Sequence, residues 1–177
     1  MPATIDITET QIMTALRGFL MSILTPDIEV IRAQGNKIAM PVGEFVVLTP
    51  ITITGLSTNV VDYNRTNGQR LDRRASQIRV QIDCFGASAM EMAEKIFILS
   101  RSEVGCDYFL SAGIDMQPLY SDDPKQTSMV NGERQYENRW TLEFYAQVNP
   151  TVTTPQDFAE ELHFGATGIK EVDRTFH

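Results

Sequence analysis

Residues 74–100 read RASQIRVQIDCFGASAMEMAEKIFILS, and the periodicity changes half-way through. Ile78, Val80, Ile82 and Cys84 alternate with Arg79, Gln81 and Asp83. Side chains of a strand point to opposite faces in turn, so the alternation predicts a strand over 74–85 with one apolar and one polar face. Gly86 ends it, and Ala87 or Ser88 opens a helix with Met92, Ile96 and Leu99 on one side and Phe97 beside them. Glu91 precedes Lys95 by four residues, the better orientation for a helical ion pair. A strand that runs through one glycine into an amphipathic helix predicts a sheet covered on one side. A second long strand supports this. In YENRWTLEFYAQV (136–148), Tyr136, Trp140, Leu142, Phe144, Ala146 and Val148 share one face, and Arg139, Thr141, Glu143, Tyr145 and Gln147 the other.

Working outward, Thr8 and Gln11 form a capping box before Ile12, Leu16, Phe19, Leu20 and Ile23, the apolar stripe of a first helix that Pro26 ends. A short strand over 29–33 follows, then a turn at 34–37. Phe45–Leu48 and Ile51–Thr54 read as strand, with Pro50 marking a break or an edge because it has no N–H to give. Gly105 is expected to close the second helical region. Ile114–Tyr120 reads as a strand leading into a polar loop. The order gives an α+β fold: a mixed or antiparallel sheet with two helices packed on one face. We expect a single domain over 1–150 and an extended C-terminal arm over 151–177.

The stretch VDYNRTNGQRLDRRA (61–75) stands apart, with four arginines against two aspartates around an Asn-Gly turn signal. It reads as a protruding hairpin or long loop. Tyr63, Arg65, Arg70, Arg73 and Arg74 are its candidate contact residues: solvated, against a protein, or against nucleic-acid phosphates. The whole chain is acidic, 23 Asp and Glu against 15 Lys and Arg over 177 residues for a net charge of -8, which disfavours a polyanion partner.

Chemistry is sparse. GxSxG, Walker-type and GxGxxG motifs are absent from the sequence, as are HExxH and CxxC spacings. The two histidines, His163 and His177, lie in the tail, and Asp122-Asp123 before Pro124 reads as a capped turn. Cys84 reads as a buried free thiol. An enzyme would need a pocket gathering carboxylates such as Asp83, Glu143 and Asp115. The N-terminal residues lack a secretory pattern and no apolar run reaches the roughly 20 residues of a membrane span, so a soluble cytoplasmic protein without membrane contact is expected. The residues point to a structural or interaction module, not an enzyme, with no cofactor and no metal.

RVQIDCFGASAMEMAEKI (79–96), MQPLYSDDP (116–124) and ERQYENRWTLEFYAQ (133–147) together resemble the neck or tail-terminator proteins of bacteriophages, and more narrowly the phage neck terminator family. Gln77, Arg79, Val80, Gln81, Asp83, Gly86 and Ala89 carry the strand–glycine–helix part of the match. The resemblance implies a virion protein, in the host cytoplasm during assembly, that closes the tail tube as a homo-hexameric ring. Its partners would be further copies of itself, the tail tube protein and the head–tail connector, with the sheath protein a further candidate. DNA would pass through the lumen without specific binding. The tail resembles extended termini that reach between neighbours, with Phe158, Leu162 and Phe164 as anchors; packing on its own domain is the alternative. Other ring-forming virion parts (tail completion, head closure, baseplate hub) fit the same residues, and a small α+β enzyme is the more distant reading.

Overall fold

The structure is a computed structural model that describes residues 2–33, 41–127, 129–130 and 136–159. The chain begins with β1 (Thr4–Ile5), α1 (Glu9–Ile23), β2 (Glu29–Arg32), β3 (Phe45–Gly55), β4 (Val60–Asn64), β5 (Gln69–Arg73) and β6 (Ser76–Phe85). Two helices follow, α2 (Ala89–Ser100) and α3 (Glu103–Ser111), then β7 (Met116–Ser121), β8 (Lys125–Gln126), β9 (Met129–Val130) and β10 (Tyr136–Glu137). β11 (Arg139–Val148) and β12 (Thr151–Pro155) complete it.

The main sheet has the order β2-β3-β6-β11-β7, with β8 also on β11. β2 runs parallel to β3 and the other neighbours are antiparallel, so the sheet is mixed. β6 and β11 pair along their whole lengths, from Ser76 opposite Val148 to Phe85 opposite Arg139. Ile78, Val80, Ile82 and Cys84 therefore lie level with Ala146, Phe144, Leu142 and Trp140, and all but Trp140 are buried. α2 lies over β6, β11 and β7, α3 over β7, and α1 against β2 and both other helices. Phe19 of α1, Phe109 of α3 and Phe144 of β11 are fully buried in one aromatic row, with centroid separations of 5.3 and 6.2 Å. Offset and tilted rings at such distances add attraction beyond their buried area.

The capping box is present as read. The Thr8 hydroxyl accepts from the Gln11 N–H and the Gln11 amide oxygen accepts from the Thr8 N–H. Pro50 does not break its strand. β3 runs through it, with a register shift against β6 between Pro50 and Thr52. β2 has already ended opposite Leu48, so Pro50 meets no ladder on that side.

Three described helices cover the face where two were expected, and Gly105 is not a terminator. It is buried within α3, where an added Cβ would lie 2.8 and 2.9 Å from the carbonyl oxygens of Leu99 and Ser100. Glycine lets the start of α3 approach the end of α2, which a helix-stop reading of the sequence missed. Gly18 makes the corresponding room in α1, since a Cβ there would overlap the Tyr108 hydroxyl. At the start of α2, Ser88 gives no side-chain cap; the Glu44 carboxylate accepts its backbone N–H instead, at 2.6 Å. Gly86, with φ of 110°, lets Glu44 approach, because a Cβ would sit 2.7 Å from its Cγ.

Gly105→Ala should lose about 1–3 kcal/mol in denaturant unfolding, since backbone atoms block the methyl and outweigh the gain in helix propensity. Gly18→Ala should also destabilise, but there the obstacle is one hydroxyl, so adding Tyr108→Phe should restore most of the loss. The bond to Ser88 holds the Glu44 carboxyl below its ordinary value of 4.5. A depressed acid contributes stability that is complete above its unfolded value and lost as the pH falls through its folded one. Glu44→Gln should therefore flatten the stability profile below about pH 5, measured as unfolding midpoint against pH.

Candidate assembly interface

The arginine-rich stretch is a hairpin, β4–β5, that belongs to a second sheet of order β1-β12-β5-β4. β5 leads through Arg74 and Ala75 into β6, and β11 leads through Asn149 and Pro150 into β12. The second sheet is thus an outward continuation of the first. Arg74 N–H bonds to Pro150 O at 3.2 Å and Leu56 N–H to Ala75 O at 2.9 Å across the junction. The stretch after Pro150, expected as an extended arm, opens with five residues that pair as the strand β12, antiparallel to β5. At the hairpin tip, Gly68 has φ of 60° and donates to Arg65 O, the turn that Asn67-Gly68 signalled. Among the described residues, β4, β5 and β12 make their main contacts with one another and with β1, and no helix covers either face. β4 is exposed almost throughout.

The structure joins three of the expected contact residues at the hairpin. The rings of Tyr63 and Phe158 meet edge-on at 6.0 Å, and the Arg65 guanidinium lies 6.0 Å over the Phe158 ring. The other arginines have partners within the chain. Arg70 forms a forked pair with Asp72 at 2.9 and 2.8 Å, and Asp72 raises its pKa. Arg73 donates to the Thr151 hydroxyl at 3.3 Å and Arg74 to that of Ser76 at 3.1 Å. These contacts fix how the hairpin sits on β12 and β6 and leave Arg65 and Tyr63 as its outward groups. Leu162, His163, Phe164 and His177 lie outside the described residues.

The polar face of the main sheet is a bonded array. The nearly buried Asp83 carboxylate accepts from Arg139 at 3.1 and 2.9 Å, from the Thr141 hydroxyl at 2.6 Å and from Gln81 at 2.8 Å. Glu143 accepts from the Tyr145 hydroxyl at 2.6 Å, which raises the Tyr145 pKa, and pairs with Arg79 at 3.4 Å. Tyr145 stacks on Tyr120 at 4.4 Å. Asp122 is not a capped turn: its carboxylate accepts the Glu143 N–H and pairs with Lys125 at 2.8 Å, tying the loop to β11. Asp115 bonds to Asn149 and lines a cavity of about 610 Å³ that contains neither Asp83 nor Glu143. The acids an enzyme would have gathered are thus dispersed or already neutralised by partners. Burial pushes the Cys84 thiol up to about 12. No described group of three His, Cys, Asp or Glu side chains has the arrangement of a metal site, and no described helix is long and apolar enough to cross a membrane.

Comparison with known proteins places this geometry. The family model described as phage neck terminator protein matches residues 10–170. The chain belongs to the phage neck terminator family. The fold is also that of the sheath/tube terminator of an extracellular contractile injection system (PVC) in its extended state, at 15% identity and a TM-score of 0.52. That match takes in 94% of this chain and 65% of the other, so the neck terminator spans somewhat less than two thirds of its structural relative. No curated protein sequence matches the chain.

Two features of this surface carry no local signal in the sequence. One is β12, which anchors the hairpin. The other is the Asp83–Arg139 pair, whose members lie 56 positions apart and meet only through strand register. Asp83→Ala leaves the Arg139 guanidinium without its carboxylate on a half-buried face, while the Thr141 hydroxyl keeps Thr127, and should cost about 3 kcal/mol. A double-mutant cycle with Arg139→Ala, followed by denaturant unfolding, should give a coupling of about 1 kcal/mol or more.

Proposed function

We propose that this neck terminator closes the end of the tail tube as a six-membered ring and offers its outer surface to the head–tail connector. Family membership over residues 10–170 supports a terminator role, and the observation that carries the ring is the second sheet, on which no described helix packs over either face. A bare sheet is stable when something completes it, and further copies are the nearest candidate. Residues 1–150 act as the body and 151–177 as an arm that starts as β12 and continues past Phe158. Tyr63, Arg65 and Phe158 form a contact point at the tip, for the next subunit or the tube below, with Phe164 as a further anchor. The sheath protein is a secondary partner. Assembly proceeds in the host cytoplasm before the finished ring enters the virion.

The charge suits a conduit. With 23 acids against 15 bases, the ring carries a negative field that phosphates do not stick to, so DNA slides through without specific binding. No step in this role asks for catalysis or a cofactor.

Native mass over a concentration series tests the reading. A species of six times the 19.9 kDa chain, alone or on tubes assembled from the tail tube protein, is the expected result. A protein that neither self-associates nor binds tubes would exclude it.

A further inference from the structure

We propose that the second sheet is completed by a second copy of this chain, β4 of one subunit pairing antiparallel with β1 of the next. The claim gives the ring reading its joint, and its test is separable from that reading.

Strand parity is the first support. The order β1-β12-β5-β4 is antiparallel at every step, so β1 and β4 run in opposite directions. Rotation about a ring axis preserves direction along that axis, so an even number of alternating strands brings β4 of one copy beside β1 of the next with the alternation unbroken. The two edges are different surfaces, so the contact is head-to-tail, the kind that closes rings.

The edges themselves are the second support. Natural sheets guard free edges with proline, charge or bulges. The main sheet does so: Pro118 lies in β7, Pro50 in β3, and Glu29 and Arg32 end β2. β4, with the sequence VVDYN, carries one charge, Asp62, but neither proline nor lysine, and exposes Val60 at 64% and Tyr63 at 52%. Ile5 of β1 is also 53% exposed, and it lines a groove of about 480 Å³ with Ile51, Ile53 and Pro150. Cross-strand register puts Val61, Asp72, Val152 and Ile5 on one side of the sheet. A β4 added beside β1 with that alternation kept would bring its own Val61 and Tyr63 to the side on which Ile5 meets the groove, apolar against apolar.

Contact size favours repetition over a simple pair. β4 has five residues and β1 two, so the paired edge is at most about 17 Å long, and a contact so short buries far less than the roughly 1,200 Å² of a stable two-body interface. Such a joint holds when each subunit makes it twice in a closed ring.

Disulfide trapping tests the pairing in full-length protein carrying Cys106→Ser, because Cys106 is exposed and Cys84 is buried. Thr4→Cys combined with Val60→Cys, Asp62→Cys or Asn64→Cys keeps both thiols on one side of the sheet. Oxidised glutathione should give, for at least one combination, a ladder of covalent species beyond the dimer. Thr4→Cys with Val61→Cys, on opposite sides, should give none. In unmodified protein, amide exchange over Val60–Asn64 should slow about ten-fold or more between dilute and assembled samples. A covalent dimer from Asp62→Cys alone would replace the proposal with β4–β4 pairing. A six-subunit mass with neither ladder nor slowed exchange would overturn the pairing and leave the ring standing, and absence of ladder and slowing at every concentration would overturn it as well.

Discussion

Everything in this domain is referred to the pairing of β6 with β11. Ten residues of each strand lie in unbroken antiparallel register. That register decides which side chains face α1, α2 and α3, and which form the polar array on the reverse. It also fixes what happens beyond the core, because β5 and β12 are the same two strands carried on past Arg74 and Pro150. A slip of β11 by one residue against β6 would turn Phe144 and Leu142 to solvent and draw Glu143 and Thr141 into the core. The aromatic row from Phe19 to Phe144 and the bonds of Asp83 both oppose such a slip, one on each face.

The domain thus has two energetic regimes. Where helices cover the sheet, dry packing holds it. Where the sheet runs on alone, what holds it is strand pairing, the fork of Arg70 on Asp72 and the Tyr63–Phe158–Arg65 contact. Exposed ion pairs and ring contacts of this kind contribute little each. The part that looks outward is therefore the part with least intrinsic support, as expected of a surface whose partner completes it. The acidic composition works in the same direction, keeping free subunits apart in solution while leaving short apolar edges to join them.

Much of the fold is legible in the sequence because it rests on local periodicity. The alternation in 76–85 and 139–148, the helical stripe after Thr8 and the Asn67-Gly68 turn each carry their own signal. What escapes is set by distant contact. Gly105 looks like a stop, and only the approach of α3 to α2 shows it to be a spacer. TVTTP at 151–155 follows a proline and ends in one, so its pattern is too short to announce a strand before β5 is alongside. At the hairpin, the Arg70–Asp72 pair can be read from its two-residue spacing on a strand. The partner of Arg73 and the union of Tyr63 with Phe158 depend on the return of the chain after Pro150. That no described helix packs on the second sheet is a property of layers, which no alternation in VVDYN encodes.

The pairing of Thr4 with Thr153 has a consequence in time. β1 ends at Ile5 and β12 begins at Thr151, so β1 lacks this neighbour until roughly 150 further residues have been synthesised. At the usual 5–20 residues per second that delay is on the order of ten to thirty seconds. Helices α1 to α3 and the strands of the main sheet emerge first and can collapse without the chain ends. A chain that stops short of β12 thus lacks a finished second sheet, with β1 unpaired and the β4–β5 hairpin without its inner neighbour.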